Sequence, residues 1–275
     1  MSPCIINTLT PNGLHAVDYT AESLADAVRY EPQDGVYTLA NTFNRTQVLK
    51  LDAHLDRLED SARREAIALR LDRPALRRGL RQLIEQSGYS DVRFRISVPR
   101  EAPDRIILSI EPFAGHPAHI YTQGLKAVTL SQVARVNPIA KTTGWMHNRD
   151  AVQLPPGIEV GLLVDADGYM LEGTSSNFYA ILDGTLRTAG SGILPGIAQQ
   201  IIFEVAPALL PLKREAVHVD DIPRFSEAFI SGSSRGIVPL VEINGVPISG
   251  GQPGATTQAL RTAYQAWLST HLEEL

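Results

Sequence analysis

Residues 168–181 have the sequence GYMLEGTSSNFYAI, and this stretch decides how the second half of the chain is interpreted. An acidic residue, Glu172, ends a mainly apolar segment, a small polar cluster follows, and another apolar segment begins after Asn177. Two interpretations fit this pattern. Either Glu172 begins a polar turn whose side chains hydrogen-bond the backbone, or it is a buried carboxylate that faces a cationic group of a ligand. These residues alone favour the turn, and both interpretations place a strand on each side of it.

The segments around this turn predict a second half that is rich in strands. Asp-Ala-Asp-Gly at 165–168 and Asp-Gly at 183–184 each separate apolar segments, and such sequences favour β-hairpins. A turn is predicted at Asn244-Gly245. A helix over residues 197–210 would bury one apolar face that ends at Leu209. The other elements predicted here are strands over 160–164, 169–171, 177–182, 228–231 and 237–243 and a helix over 256–271.

The first half alternates between helix and strand patterns. Asp72 and Gly88 are placed as start and stop signals for its second helix. In the middle strand, apolar residues alternate with Arg93, Arg95 and Ser97, so the arginines fall on the polar face. The elements predicted here are strands over 36–43, 92–98 and 106–110 and helices over 52–69 and 74–86.

The Gly, Pro and His residues of 113–125 interrupt these patterns and predict a linker. We therefore expect an α+β fold of two domains, for which a chain of 275 residues is long enough. The expected division is a small α/β N-terminal domain over residues 1–118, a linker over 119–126 and a larger, strand-rich domain over 127–275.

The bulk composition excludes several classes of partner. A net charge of −5 argues against nucleic acid or anionic lipid as the main partner. No apolar run approaches the roughly 20 residues that a membrane span needs, and the first residues lack the pattern of a secretory signal. Cys4 is the single cysteine, so an internal disulfide is excluded. We therefore expect a cytoplasmic protein with no membrane or nucleic-acid partner.

The chain contains four lysines, and an enzyme that forms a Schiff base through a lysine must use one of them. Lys213 adjoins Arg214 in a polar stretch, and Lys50 and Lys126 lie at strand edges, where a surface charge is the ordinary interpretation. Lys141 lies in the compact segment Pro-Ile-Ala-Lys-Thr-Thr-Gly-Trp, unlike a solvated charge run. A buried setting of this kind can lower the pKa of a lysine and make it a nucleophile.

Glycine-rich backbone at 188–196 leads into the helix predicted from residue 197, an arrangement that favours an anion such as phosphate. The spacing G-x-G-x-x-x-G without a βαβ unit does not fit a dinucleotide-binding fingerprint. Gly232-Ser-Ser-Arg-Gly236 formally matches the hydrolase motif G-x-S-x-G, but a strand rather than a helix is predicted after it. His116 and His119 have no cysteine or carboxylate cluster beside them, so we predict no metal site.

Five motifs in this order resemble the class IV, or fold-type-IV, pyridoxal-phosphate enzymes. That family includes branched-chain and D-amino-acid aminotransferases and aminodeoxychorismate lyases. The resemblance implies a small α/β domain and a larger pseudo-barrel domain, pyridoxal 5'-phosphate as cofactor, and a homodimer. The motifs are Gly35-Val-Tyr-Thr-Leu-Ala-Asn-Thr-Phe43, His54-Leu-Asp-Arg57-Leu with Ser61-Ala62, Arg135-Val-Asn-Pro-Ile-Ala-Lys141, Glu172-Gly-Thr-Ser-Ser-Asn177, and the loops Leu194-Pro-Gly-Ile197 and Phe229-Ile-Ser-Gly-Ser-Ser234.

The resemblance also implies roles for individual residues. Lys141 would carry the Schiff base and shuttle the substrate proton, and Glu172 would keep the pyridine nitrogen protonated. Leu194 would pack on the ring, and Arg135 receives no role. The cofactor-binding set that the resemblance implies is Arg57, Lys141, Glu172, Asn177, Leu194, Gly196, Ile197, Ala198, Ser233 and Ser234.

The substrate is left open, because some positions depart from the family pattern. Met146 stands where branched-chain enzymes carry a tyrosine, and the arginine-and-histidine carboxylate trap of D-amino-acid enzymes is not visible. Arg93, Arg95 and Arg100 are the available replacements. The substrate-binding set that we predict is Tyr37, Leu39, Asn41, Arg93, Arg95 and Ser234.

We therefore predict an aminotransferase that acts between an amino acid, branched-chain L- or D-, and a 2-oxo acid. An aminodeoxychorismate lyase is the alternative, because the same fold and lysine support it. A binding protein that kept the fold without catalysis is a more remote one.

Overall fold

The computed structural model describes residues 3–275 as two sheets with six α-helices. The strands are β1 (Ile5–Thr10), β2 (Gly13–Ala16), β3 (Gly35–Phe43), β4 (Gln47–Leu49), β5 (Val92–Pro99), β6 (Ile106–Pro112), β7 (Leu125–Leu130), β8 (Val160–Val164), β9 (Met170–Gly173), β10 (Ser176–Leu182), β11 (Thr185–Arg187), β12 (Leu212–Lys213), β13 (Glu227–Gly232), β14 (Gly236–Ile243), β15 (Val246–Pro247) and β16 (Leu272–Glu274). The helices are α1 (Leu51–Arg64), α2 (Arg73–Ser87), α3 (His119–Thr122), α4 (Thr143–Asp150), α5 (Ile197–Val205) and α6 (Ala255–Thr270), with short 3-10 turns between them.

The chain forms two compact units that interleave along the sequence. The first unit contains residues up to Ala114 together with Ala140–Ala151 and His271–Leu275, and the second contains Gly115–Ile139 and Val152–Thr270. The α+β class that the sequence predicts is confirmed, with one sheet in each unit. The predicted domain boundaries, at residues 118 and 127, stay a prediction. The stretch that we expected to be a linker contains α3 and the first residues of β7.

The first unit is a seven-stranded sheet, in the order β16-β4-β3-β5-β6-β1-β2, with α1 and α2 packed on one face. The apolar residues of β5 alternate with polar ones, and its apolar face joins Val36 and Ala40 of β3 and the two helices in a common core. Asp72 caps α2 by accepting a hydrogen bond from the backbone N–H of Ala75, and Gly88 ends the helix with φ +72°. Both predicted signals for α2 are confirmed.

The helix predicted over 52–69 is shorter than expected, because α1 ends at Arg64. Ala66 has a positive φ of 53°, which breaks the helical path. The next residue, Ile67, returns to the core, and its N–H donates to the carbonyl of Ala62 at 2.8 Å. Apolar residues therefore continue at helical spacing beyond the end of the helix, and for this reason the predicted C-terminal end of α1 was too late.

The second unit contains a nine-stranded mixed sheet in which six strands close on each other. The ring runs β10-β13-β14-β7-β8-β9, and β9 returns to pair with β10. This closed ring is the strand-rich pseudo-barrel that the resemblance implied. The hairpins predicted at 165–168 and 183–184 are also confirmed, because β8 pairs antiparallel with β9 and β10 with β11. Asp183 and Gly184 both have positive φ, as do Asn244 and Gly245 at the predicted turn, which is the backbone of a type I′ turn.

Two helices lie on the second unit's sheet, and one of them corrects a prediction. We expected a single helix over 197–210, but α5 ends at Val205 and a 3-10 turn follows. The reason is Pro207, which lacks an N–H and ends the regular hydrogen bonding. As a result Leu209, which we placed on the buried face, is 46% exposed.

Candidate active site

Lys141 is fixed through its own peptide groups within the first unit. Its backbone N–H donates to the hydroxyl of Ser61 at 3.1 Å, and its carbonyl accepts from the N–H of Tyr37 at 2.9 Å. The amine Nζ lies 4.6 Å from the centre of the Tyr37 ring. The two backbone bonds fix the point from which the Lys141 side chain extends, and the Tyr37 ring is the surface on which its amine lies.

Helix α1 brings a phosphate-binding candidate close to this lysine. Arg57 is only 8% exposed, and its Nη2 donates to the hydroxyl of Thr38 on β3 at 3.3 Å. The hydroxyl of Ser61, which receives the Lys141 amide, donates in turn to the Arg57 carbonyl at 2.7 Å. Arg57, Ser61 and Lys141 are therefore linked by consecutive hydrogen bonds, which brings together two of the predicted cofactor-binding residues.

His54 completes this cluster as an uncharged side chain. It is fully buried, and its Nδ1 lies 2.8 Å from the hydroxyl of Thr38. Burial, followed by the positive charges of Arg57 and Lys141, holds the pKa of His54 well below its usual 6.5. His54 is therefore neutral at physiological pH and adds no third positive charge to the cluster.

Five of the six residues predicted to bind substrate, all except Ser234, share one face of β3 and β5. Leu39 pairs across the strands with Arg95, and Asn41 pairs with Arg93. Tyr37 lies on the same face, opposite Ser97. Because side chains alternate along a strand, this face is turned away from the core that α1 and α2 cover.

Both predicted arginines on this face are engaged by carboxylates. Arg95 is 2% exposed, and its Nε donates to Glu31 at 2.6 Å while Nη1 donates to the carbonyl of Leu24 at 2.9 Å. Arg93 pairs with Glu111 at 2.5 Å. Their roles as substrate-binding residues stay predictions, and their charges are already matched within the unit.

In the second unit, the motif at 172–177 forms a hairpin that clamps a loop. Glu172 and Asn177 lie opposite each other on β9 and β10. One carboxylate oxygen of Glu172 accepts from the backbone N–H of Leu194 at 3.1 Å, and the side-chain amide of Asn177 donates to the Leu194 carbonyl at 2.9 Å. The hairpin therefore fixes Leu194 in position through both of its backbone groups. Glu172 is 3% exposed, so its carboxylate is buried, and its role towards a ligand stays a prediction.

The sequence assigned no role to Arg135, but the structure pairs it with Glu172. Arg135 Nη1 lies 2.6 Å from Glu172 Oε1, and the two side chains are 5% and 3% exposed. The two residues are 37 positions apart, and no local pattern connects them. The R-x-N-x-x-x-K segment was the available signal, because it places an arginine at a fixed distance before the lysine.

The N-terminus of α5 is a suitable phosphate cup. Gly196 is its N-cap residue and provides no side chain to satisfy the first N–H groups, which belong to Ile197 and Ala198. A Cβ at Gly196 would lie 1.9 Å from Oδ1 of Asn177, so only glycine fits here. These N–H groups and the helix dipole favour an anion.

Ser233 and Ser234 lie in the turn between β13 and β14. The Ser234 hydroxyl is 3.3 Å from Nε2 of His116, so this histidine contacts a predicted site residue. Because a strand follows the turn, the segment is not the strand-to-helix elbow that a hydrolase requires. The rejection of the hydrolase motif is confirmed by this context.

Within each unit, the donors suit groups of the cofactor that the resemblance implies. The first unit provides an amine, Lys141, beside a buried guanidinium, Arg57. The second provides a buried carboxylate, Glu172, and the N-terminus of α5, where the space beside Asn177 admits only glycine at position 196. An aldehyde, a ring nitrogen and a phosphate are the groups that these donors suit.

Residues 3–275 contain no group of three or more His, Cys, Asp or Glu side chains placed to hold a metal ion. None of the helices within these residues is both long enough and apolar enough to span a bilayer.

Comparison with known proteins identifies the family. The model of the family "Amino-transferase class IV" matches residues 35–243. The chain is 26% identical to a putative branched-chain-amino-acid aminotransferase of Methanocaldococcus jannaschii, over 84% of this chain and 86% of that one. It is 23% identical to the D-alanine aminotransferase of Staphylococcus epidermidis, over 86% and 89%. The crystal structure of the branched-chain aminotransferase of the thermophilic archaeon Thermoproteus uzoniensis with norvaline superposes with a TM-score of 0.79 at 20% identity, covering 98% of both chains. Since the family model spans most of the chain, the protein belongs to the class IV aminotransferases, which depend on pyridoxal 5'-phosphate and have fold type IV.

Proposed function

We propose that this aminotransferase transfers an amino group between a branched-chain L-amino acid or a D-amino acid and a 2-oxo acid, with Lys141 and Glu172 as its catalytic residues. When bound, pyridoxal 5'-phosphate supplies an aldehyde that condenses with amines and a ring that accepts electrons from the substrate Cα. The observation that carries the proposal is the fixed position of Lys141 between Ser61 and Tyr37.

Lys141 has two tasks in this proposal. Its Nζ is the point of covalent attachment, and after release the same atom removes the proton from the substrate Cα and returns it. Both tasks need an amine held in one place, which the hydrogen bonds of the Lys141 peptide support. Arg57 is proposed to bind the phosphate with a charge-assisted hydrogen bond, and the neutral His54 leaves that charge without a cationic competitor.

Glu172 is proposed to hold a proton on the ring nitrogen. Arg135, which is charged at all physiological pH values, holds one oxygen of this carboxylate, and the Leu194 N–H holds the other. Leu194 is proposed to pack on the ring, in the position that Asn177 fixes. The phosphate would be bound by the N–H groups of residues 196–198 at the start of α5 and by the hydroxyls of Ser233 and Ser234.

The substrate class is supported by the relatives' names and by one face of the first unit. One relative is called a branched-chain and another a D-alanine aminotransferase, so both classes of donor are proposed. Tyr37, Leu39 and Asn41 are proposed to line the substrate pocket from β3, where they share one face. We further propose a cytoplasmic homodimer with domains divided near residues 118 and 127.

The test is a donor screen on the purified holoenzyme with matched D- and L-amino acids. Conversion of the bound cofactor to its pyridoxamine form is followed by absorbance. We expect conversion with at least one amino acid and reversal with its 2-oxo acid. Absence of conversion with every donor, together with release of pyruvate from aminodeoxychorismate, would instead support the lyase alternative.

Lys141→Ala tests the catalytic assignment directly. This variant should lose turnover by several orders of magnitude, because the attachment point and proton carrier are the same atom. Lys213→Ala removes an exposed lysine and is the matched control, with unchanged turnover expected. Borohydride reduction followed by peptide mass analysis should place the reduced cofactor on residue 141. Attachment at another lysine, or a colourless protein that takes up no cofactor, would refute the assignment.

A further inference from the structure

Helix α4 turns one of its faces towards the polar face of β3 and β5. Met146 Sδ lies 3.7 Å from Nη1 of Arg95, and one turn further along the helix Arg149 Nη1 lies 3.2 Å from the hydroxyl of Tyr37. Positions three residues apart on a helix point in similar directions, so these contacts come from the same face. No local sequence pattern indicated Arg149, because its partner is 112 residues away.

The Tyr37 ring connects Arg149 with the reactive lysine. Lys141 Nζ lies over the face of this ring, 4.6 Å from its centre, and the ring's hydroxyl contacts the Arg149 guanidinium. Tyr37 is 1% exposed and the Arg149 side chain is 19% exposed. The Arg149 side chain is therefore partly exposed, and the buried tyrosine holds its guanidinium in place.

The other arginines near this face have less capacity to bind a substrate carboxylate. Arg93, Arg95 and Arg100 each meet a carboxylate at 2.5 or 2.6 Å. Nη2 of Arg95 is buried from solvent and has no hydrogen-bond partner within residues 3–275, so a ligand could reach it only after rearrangement.

Arg149 differs from these arginines in its partners and in its access to a ligand. Its closer contact is the neutral hydroxyl of Tyr37, and its ion pair with Asp150 is long, at 3.4 Å, to a carboxylate that is 48% exposed. Such an exposed pair contributes little. The Arg149 guanidinium therefore keeps most of its capacity for another anion.

We propose that Arg149 binds the α-carboxylate of the amino acid and of the 2-oxo acid, and that Tyr37 positions it. This inference rests on the proposed transamination and names the residue that restricts it to substrates with a carboxylate. A planar guanidinium can donate two parallel hydrogen bonds to a carboxylate, which a neutral amide cannot accept in the same way.

The experiment compares acids with their neutral amides on the holoenzyme. The donors are L-leucine and D-alanine and their amides, and the measured quantity is the concentration dependence of cofactor conversion in a single turnover. Wild type should prefer the acid by about 10- to 100-fold, the range expected for hydrogen bonds to a charged group. Arg149→Leu should lose this preference, because conversion of the acid falls much more than conversion of the amide, and Arg149→Lys should keep part of it. Arg64→Leu removes an exposed arginine of the same unit and should behave as wild type.

A binding measurement gives a readout that does not depend on turnover. Calorimetric titration with 4-methylpentanoate and propanoate, which have no amino group, should show weaker binding by Arg149→Leu and unchanged binding by Arg64→Leu. Tyr37→Phe should lower the acid preference less than Arg149→Leu does, and the double variant should add little beyond Arg149→Leu.

The outcomes separate this inference from the proposed function. A wild type that converts no donor contradicts the proposed function. A wild type that converts donors without preferring the acid overturns the inference alone. So does an Arg149→Leu variant that keeps the preference, or one that loses acid and amide activity equally, as a purely structural arginine would.

Discussion

At the scale of single residues, the hydroxyl of Thr38 joins the two polar side chains of α1 that face the lysine. It lies 2.8 Å from Nδ1 of His54 and accepts a hydrogen bond from Arg57. An additional positive charge on His54 would be buried beside Arg57 and Lys141, and this is why its pKa is low. Neutral His54 is therefore a condition for the native arrangement of this cluster.

Because the folded protein requires a neutral His54, its free energy of unfolding should depend on pH in a defined direction. Below about pH 6.5 the unfolded chain binds a proton at His54 and the folded chain does not. The free energy of unfolding should therefore fall as the pH falls below 6.5, by up to about 1.4 kcal/mol per pH unit from this residue. Urea unfolding between pH 7.5 and 5 measures it. His54→Asn should flatten the dependence, and the exposed His15→Asn should not. Equal slopes in all three proteins would contradict the prediction.

The ion pair of Arg135 and Glu172 gives a prediction about the stability of the protein. Both side chains are buried, so replacing one leaves a charge without its partner. Arg135→Met should lower the free energy of unfolding by about 3–5 kcal/mol, the usual cost of breaking a buried pair. The double variant Arg135→Met with Glu172→Gln should recover part of that loss, as denaturant titration of all four proteins would reveal. Strictly additive effects would show that the pair is not energetically coupled.

Local residue types predicted part of this residue-scale picture. Glu172, Asn177 and Gly196 lie in short motifs, and their backbone contacts follow from those motifs. The partners of Arg135 and Arg149 are distant in sequence, so local patterns did not identify these contacts, although the R-x-N-x-x-x-K segment drew attention to Arg135 itself. The same limit applies to Arg95, which looked available for a substrate and is ion-paired with Glu31.

At the scale of elements, a buried carboxylate holds the start of α6. The two oxygens of Glu227 accept hydrogen bonds from the N–H groups of Thr256 and Thr257, at 2.9 and 2.7 Å. This satisfies two of the four N–H groups that a helix leaves unpaired at its start, and places a negative charge at the positive end of the dipole. Gly254 is needed beside it, because a Cβ there would lie 2.1 Å from the Glu227 carboxyl carbon.

Glu227→Gln should therefore destabilise the protein although the side chain keeps its size. The amide group would turn an N–H₂ towards one backbone donor, leaving that donor unpaired at a cost of about 1–3 kcal/mol. The midpoint of thermal unfolding, followed by circular dichroism, checks the prediction. Glu204→Gln is the matched control, because Glu204 is exposed and its carboxylate accepts a hydrogen bond from the Trp267 side chain instead of capping a helix, and it should change stability by less than about 0.5 kcal/mol. Equal effects of the two variants would exclude the capping role.

Elements with strong end signals were predicted closely, and those without them were not. Helix α2 has both Asp72 and Gly88, and its bounds differ from the predicted ones by one residue at each end. The ends of α1 and α5 were set too late, because apolar periodicity continued beyond Ala66 and Pro207. Helix α4, which carries Arg149, was not predicted at all, since eight residues with only two buried side chains give a weak periodic pattern.

At the scale of the whole molecule, the chain returns to the first unit twice after leaving it. Residues 140–151 bring Lys141 and α4 back to β3 and α1, and residues 271–275 add β16 at the edge of the first sheet. The predicted domain division follows changes in sequence pattern, whereas the compact units also depend on which distant segments pack together. The reactive lysine is therefore a member of the first unit, although it lies in the half of the sequence that was assigned to the second domain.

The last return explains how α1 begins without a capping side chain of its own. Its N-cap residue, Lys50, has a left-handed backbone with φ +47° and makes no side-chain cap. Instead, Glu273 of β16 accepts the hydrogen bond from the N–H of Leu51 at 2.8 Å. The guanidinium of Arg81 on α2 also donates to the carbonyl of Leu275 at 2.6 Å. Residues 271–275 thus stabilise both helices of the first unit.

Deletion of residues 271–275 should therefore make α1 more mobile. Because Ser61 of α1 accepts a hydrogen bond from the Lys141 N–H, the position of Lys141 should become less well fixed as well. Glu273→Ala removes only the cap and should cost about 1–2 kcal/mol, and the deletion should cost more because the β16 pairing is lost as well. Hydrogen exchange resolved by mass spectrometry should show faster exchange in peptides that cover α1 and β4 and no change in those that cover β13 and β14. Cofactor retention on heating should fall in the same order, from wild type to Glu273→Ala to the deletion. Unchanged exchange in α1 would show that the helix does not depend on this strand, and the link from β16 to the lysine would then be wrong.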